Sequence, residues 1–146
     1  MRELTRIILH CSATEEGKPF TAEDIRTWHL ARGWKDIGYH YVIALDGKVE
    51  IGRPIDRPGA HVKGHNADTI GVCYIGGVRN GKPADTMTEL QEIAFLDLVY
   101  SLRTTFGWMR ISGHNEYAAK ACPSFDVQTK YKFLNLHHGI DYDLLG

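Results

Sequence analysis

Cysteine and proline are scarce in this chain of 146 residues, which has three of the first and five of the second. The cysteines, Cys11, Cys73 and Cys122, are odd in number and widely spaced. That argues against a disulfide framework and fits reduced thiols. No apolar run approaches the ~20 residues that cross a bilayer, so no spanning helix is expected. Met1 to Thr5 runs straight into Ile7-Ile8-Leu9 with no long apolar stretch or small-residue cleavage site ahead of it. A secretory signal is therefore not expected, and synthesis and folding in a cytoplasm are. An excess of one charge is also missing: 17 Lys+Arg stand against 18 Asp+Glu, a net charge of -1. Without a global field, neither nucleic acid nor a membrane is expected as a partner. Repeats, linkers and low-complexity segments are absent, as are the HExxH, GxSxG and P-loop patterns.

What is present is an ordinary globular balance, 43% hydrophobic and 24% charged. The length suits one domain spanning residues 1–146, which would bury roughly two-thirds of its unfolded surface. The unusual count is histidine, 8 of 146. Histidine titrates near neutrality and is the commonest metal ligand, so the chemistry is to be sought there.

Residues 6–11, RIILHC, read as a strand apolar on both faces, as a central strand covered from two sides should be. Alternation puts His10 on the face of Ile8, and Cys11 on that of Ile7 and Leu9. Ser12 to Phe20 reads as a loop. Thr21 to Arg32 reads as a helix, with Thr21 and Asp24 at capping spacing and Ile25, Trp28 and His29 on one face. Tyr39 to Leu45 and Lys48 to Ile51 form a hairpin about Asp46-Gly47. Pro54 to Asp68 lacks a period and is expected to be a surface loop. Thr69 to Ile75 is a further apolar strand. Thr88 to Phe106 is the longest helix, opened by a Thr88/Gln91 capping box; its apolar residues spread around the axis, which predicts cover on more than one face. Met109 to Ser112 is a short strand, Gly113 to Pro123 a loop, and Asp126 or Ser124 caps a last helix through Leu134. The tail from Asn135 has little pattern, and His137-His138 is expected at the surface. This order predicts an α/β single domain, a mixed central sheet flanked by helices.

A hydrolytic zinc site needs three protein ligands and one open position. The best triple is His10 at the end of the first strand, His114 just past a later strand, and Cys122 in a loop able to fold back. Each also has an ordinary reading: a hydrogen-bonded strand histidine, a loop histidine and a small buried hydrophobe. Cys11 and Cys73 read as small core residues. His61 and His65 are four apart but lie between glycines, without a helical pattern.

The phrases HCSAT (10–14), IRTWHLARGW (25–34), GYHYVI (38–43), DGKVEIGRP (46–54), GAHVKGHNADTIGVCYIGG (59–77) and KACPSFDV (120–127) carry a resemblance. In this order and spacing they resemble the zinc-dependent N-acetylmuramoyl-L-alanine amidases of the phage lysozyme type. Animal peptidoglycan recognition proteins and bacterial recycling amidases belong to the same wider family. The match runs from residue 6 to about residue 134, nearly the whole chain; the tail beyond it has no counterpart. The resemblance implies a mixed sheet with a zinc groove at one edge. It implies one Zn²⁺ per chain held by His10, His114 and Cys122, and a catalytic pair of Tyr39 and Lys120. His61, Asn66 and Trp34 are then candidates for the substrate groove.

The implied reaction is hydrolysis of the amide joining N-acetylmuramic acid to L-alanine in peptidoglycan. Lys120 would stabilise the oxyanion, while Tyr39 would orient water, shuttle a proton or donate to the oxyanion. The expected partner is peptidoglycan or a muropeptide, and the expected form is a monomeric phage endolysin acting on the cell wall. The alternatives are a peptidoglycan-binding recognition module without activity and a cytosolic recycling amidase. A muramidase would need two placed carboxylates; the acidic residues of the matching phrases, Asp46, Glu50, Asp68 and Asp126, read as turn, strand or cap residues.

Overall fold

The computed structural model describes residues 1–136 together with the backbone of residues 137, 140 and 141. In chain order the elements are β1 (Arg6–Cys11), β2 (Thr14–Glu15), α1 (Ala22–Ala31), β3 (Tyr41–Ile43), β4 (Val49–Ile51), β5 (Thr69–Tyr74), β6 (Gly77–Arg79) and β7 (Lys82–Pro83). They continue with α2 (Glu89–Phe106), β8 (Arg110–Gly113), α3 (Val127–Lys130), β9 (Leu136–His137) and β10 (Ile140–Asp141). Single 3₁₀ turns lie at His114–Glu116 and Lys132–Asn135.

Ile7, Ile8 and Leu9 are fully buried, as a strand apolar on both faces requires. They lie inside a five-stranded sheet of order β4-β3-β5-β1-β8. β1 pairs in parallel with β5, from Arg6 opposite Thr69 to Cys11 opposite Tyr74, and with β8, from Arg6 opposite Arg110 to Leu9 opposite Gly113. β3 is parallel to β5 and antiparallel to β4, so the sheet is mixed.

Alternation along β1 divides the core in two. Ile7, Leu9 and Cys11 pack with Phe95, Val99 and Leu102 of α2. On the other face Ala22 and Ile25 of α1 pack with Ile37, Val42, Cys73 and Ile75. The result is three layers. Both long helices open with complete capping boxes, Thr21/Asp24 and Thr88/Gln91. Gln91 is fully buried: its Oε1 accepts from the Thr88 N–H at 2.9 Å, while Nε2 donates to the carbonyls of Ile75 at 3.0 Å and Ile43 at 3.2 Å. One side chain thus caps α2 and ties it to the ends of β3 and β5.

Several elements differ from the sequence expectation. α2 buries one face, through Gln91, Phe95, Val99 and Leu102, while Leu90, Ile93 and Tyr100 are exposed. Its apolar residues spread around the axis without a layer to cover them. A small sheet of order β2-β6-β7 takes one strand from the segment 12–20, read as a loop, and two from 77–83, where the sequence shows no element; strands of two or three residues are too short to show a period. The last helix stops at Lys130 and resumes as a 3₁₀ turn. The segment 54–68 has no regular structure, yet Gly59, His61 and Val62 in it are buried. A Cβ on Gly71 would lie 2.7–2.9 Å from the His61 ring, so the bare glycine in β5 is what lets this loop lie against the sheet. The expectation for the side chains of His137 and His138 lies outside the described residues. Among the described residues no helix is long and apolar enough to cross a membrane.

The outer edge of β8 is closed by a side chain. Buried Asn135 accepts from the Ile111 N–H through Oδ1 at 2.8 Å and donates from Nδ2 to the Ile111 carbonyl at 2.9 Å, acting as a one-residue strand. Asn135→Ala would leave the buried Ile111 N–H without its acceptor, while the Ile111 carbonyl keeps the Gln128 Nε2 donor at 3.0 Å. It is expected to lower stability by about 2–3 kcal/mol, read from urea unfolding midpoints at unchanged m-value.

Candidate active site

His10 is the penultimate residue of β1 and His114 follows β8. Because Leu9 stands opposite Gly113, the next residue of each chain segment lies beside the other, and the two rings lie 4.7 Å apart, centroid to centroid. Cys122 returns to the same point: its Sγ accepts from the Cys11 N–H at 3.2 Å and lies 3.8 Å from His10 Nδ1. The donor atoms of His10, His114 and Cys122 all fall within 4.8 Å of one another, the one such group among the described residues. Two imidazoles and one thiol, with no carboxylate among them, form a borderline-soft donor set that suits Zn²⁺. Two of the three, His114 and Cys122, line a cavity beside the group, and a catalytic zinc keeps one position free for water.

Burial, reinforced by His61 and His114, holds His10 well below the usual histidine range, and burial beside Lys120 lowers His114. Both rings are therefore neutral and able to ligate. The adjacent Cys11 thiol and burial push Cys122 upward, so a divalent cation has to displace a proton to gain the thiolate. Tyr39 packs on the His10 ring at 4.9 Å and on His29 at 5.6 Å. Burial, then the neighbouring cysteines, raises its phenol well above 10, so it is a proton donor at neutral pH.

The site opens into a cavity of about 230 Å³ whose lining includes Trp28, His29, Arg32, Tyr39, His114 and Lys120. Exposed Lys120, two residues from Cys122, is a cation at its mouth. A larger groove of about 440 Å³ lies along α2, but its cation, Arg103, is already bonded to the carbonyls of Met109 and Leu134. That groove carries no acid, base or ligand cluster, so the smaller cavity is where chemistry can occur.

Trp34, His61 and Asn66 meet at a separate depression of about 270 Å³. Trp34, 36% exposed, stacks on His29 at 4.4 Å. Asn66 Oδ1 accepts from the N–H groups of His61 and Val62, both at 3.0 Å, and so shapes the loop. His61 is buried, with His10 Nε2 2.8 Å from its Nδ1 and Thr69 Oγ1 3.1 Å from its Nε2. Thr69 and His40, which surround His61, were not singled out by sequence reasoning. The available signal was the pair of glycines, Gly59 and Gly71, that leave room for the two rings.

Residues 1–125 match the profile described as N-acetylmuramoyl-L-alanine amidase. The chain belongs to this amidase family. The amidase is 39% identical over 142 residues to an endolysin of Klebsiella phage KP32, covering 94% of each chain. Among solved structures it resembles the N-acetylmuramoyl-L-alanine amidase LysC from Clostridium intestinale URNW, with a TM-score of 0.76, 25% identity and coverage of 90% of this chain and 87% of that one. It also resembles bumblebee PGRP-SA, with a TM-score of 0.73, 28% identity and coverage of 90% and 82%. The mixed sheet flanked by helices is thus the amidase fold expected from the sequence.

Burial lowers His29 and His40 to about 4 and His61 to about 3. Their unfolded values lie near ~6.5. As pH falls below that value the unfolded amidase takes up protons that the folded chain refuses. Stability is therefore lost from about pH 6.5 down to about pH 4 for His29 and His40 and to about pH 3 for His61, by up to ~1.4 kcal/mol per pH unit for each histidine, before the curve flattens. Denaturant titrations of the chelator-treated protein across this range measure the slope.

Proposed function

We propose that this amidase hydrolyses the bond between the lactyl group of N-acetylmuramic acid and L-alanine in peptidoglycan, with one Zn²⁺ per chain held by His10, His114 and Cys122. The observation that carries the reading is the convergence of these three donors within 4.8 Å of one another, beside a cavity lined by His114, Cys122, Tyr39 and Lys120. A zinc ion there would supply Lewis acidity toward the scissile carbonyl and a lowered pKa for the attacking water. His10 is braced from behind by His61 and Cys122 by the Cys11 N–H, so both donors are set in place before substrate arrives. Lys120 meets the negative charge that grows on the carbonyl oxygen as water adds. Tyr39 keeps its phenolic proton and donates a hydrogen bond from Oη to the same developing charge or to the departing amine. The wall of the cavity beneath α1, with Trp28 and His29, excludes bulk water from one side of the reacting amide.

The endolysin name of the Klebsiella phage relative supports polymeric cell wall as the substrate rather than a soluble fragment. On this reading the whole chain is one amidase domain, acts as a monomer, is made in a host cytoplasm and works on the wall. The depression at Trp34, His61 and Asn66 extends the surface on which a muropeptide would lie.

Purified protein is expected to contain about one equivalent of zinc, and Cys122→Ala is expected to lose it on dialysis against chelator. Peptidoglycan digests should gain new amino termini that begin with L-alanine and no new reducing sugar ends. Reducing ends without new amines would identify a glycosidase, and tight muropeptide binding with neither product a recognition module. Tyr39→Phe and Lys120→Ala should each keep zinc while turnover falls, by ~10²–10³ where an oxyanion donor is lost. Unchanged turnover in both variants would remove them from the catalytic machinery.

A further inference from the structure

Behind His10, away from the cavity, lies a line of hydrogen bonds whose direction is set at its far end. The His65 carbonyl can only accept, and Thr69 Oγ1 donates to it at 2.6 Å. A hydroxyl has one proton, so at the 3.1 Å contact with His61 Nε2 the ring must be the donor and Thr69 the acceptor. The His61 ring is 9% exposed with His10 and His40 against it. Its polar contacts are those to His10 and Thr69, with no carboxylate among them, so it carries a single N–H, on Nε2. Bare Nδ1 then accepts from His10 Nε2 at 2.8 Å. With its proton held on Nε2, His10 is left with a bare Nδ1, the atom directed toward Cys122 Sγ.

The surroundings hold this order. Thr69 is fully buried at the start of β5, opposite Arg6 of β1. Asn66 fixes the backbone of His61, and Gly59 and Gly71 leave the space its ring fills. His40 does not compete, since its Nδ1 accepts from the Gly71 N–H and its Nε2 faces the Arg57 carbonyl and Arg2.

We propose that His61 and Thr69 are positioning residues that lock His10 in the Nε2–H tautomer, presenting Nδ1 as the ligating atom. The inference rests on the metal site proposed above and adds a function for two residues outside the ligand set. Without the Thr69 hydroxyl, His61 Nε2–H loses its acceptor and the ring can carry its proton on Nδ1 instead. That places N–H against N–H at His10, or moves the His10 proton onto the nitrogen that must ligate. Partners of this kind typically change metal affinity by ~10–100-fold.

The experiment has two readouts on the full chain. Long-range ¹⁵N–¹H NMR of the metal-free wild-type protein at neutral pH is expected to show both His61 and His10 protonated at Nε2 and bare at Nδ1; an Nδ1 proton on either ring overturns the proposal without any variant having to fold. Zinc affinity, measured by competition with a chromophoric chelator, is expected to fall ~10–100-fold in Thr69→Val and to return to within about threefold of wild type in Thr69→Ser. Equal affinity in Thr69→Val and wild type overturns it. Cys122→Ser separates the two readings: if it binds zinc as tightly as wild type, the metal-site assignment falls and this inference with it. Loss in Cys122→Ser beside unchanged Thr69→Val overturns the positioning role alone.

Discussion

The parallel pairing of β1 with β8 brings the two histidines of the site together, because the register that sets Leu9 against Gly113 places His10 and His114 side by side. The same strand supplies the third contact through its backbone, since the Cys11 N–H is the donor to Cys122 Sγ. A slip of one residue would turn His10 toward the α2 core and away from His114. Register is held by full burial of Ile7, Ile8 and Leu9 between two helical layers, so the precision of the site is a consequence of hydrophobic packing on both faces.

That packing leaves polar groups inside the molecule, and the fold meets several of them with protein partners. Gln91 joins the cap of α2 to two strand ends, and Asn135 substitutes for a missing strand beside β8. The buried histidines follow the same rule. An unpaired buried polar group costs about 1–3 kcal/mol, so these networks are constraints on the fold as much as features of the site. Burial of the histidines lowers their pKa values, which keeps imidazoles neutral and able to act as ligands or relays near neutral pH while making the chain sensitive to acid.

The same architecture appears in an amidase and in a peptidoglycan recognition protein, so the fold alone does not decide between cleavage and binding. What this chain offers beyond the fold is its site: a thiol beside two imidazoles, a phenol kept protonated by burial, and a cation lining the cavity. The larger groove along α2 has no thiol or imidazole and its cation, Arg103, is already bonded to two carbonyls, which shows why volume is a poorer guide to chemistry than the grouping of ionisable side chains.

Much was legible in the sequence alone. The apolar run of β1, the capping boxes at Thr21 and Thr88 and the Asp46-Gly47 turn are local patterns, and local patterns need no partner to be read. His10, His114 and Cys122 stood out by residue type and by the phrases around them. Other features depended on groups distant in the chain. The sequence could not show that His61, in a loop without a period, lies buried against Gly71, or that its partner is Thr69 eight residues on. Nor could it show that α2 is covered on one face only, or that Asn135 belongs to the edge of the sheet. Periodicity reports which face of an element is apolar, but the neighbour that covers that face, and the direction of a hydrogen-bond chain behind it, exist only once the strands are in register.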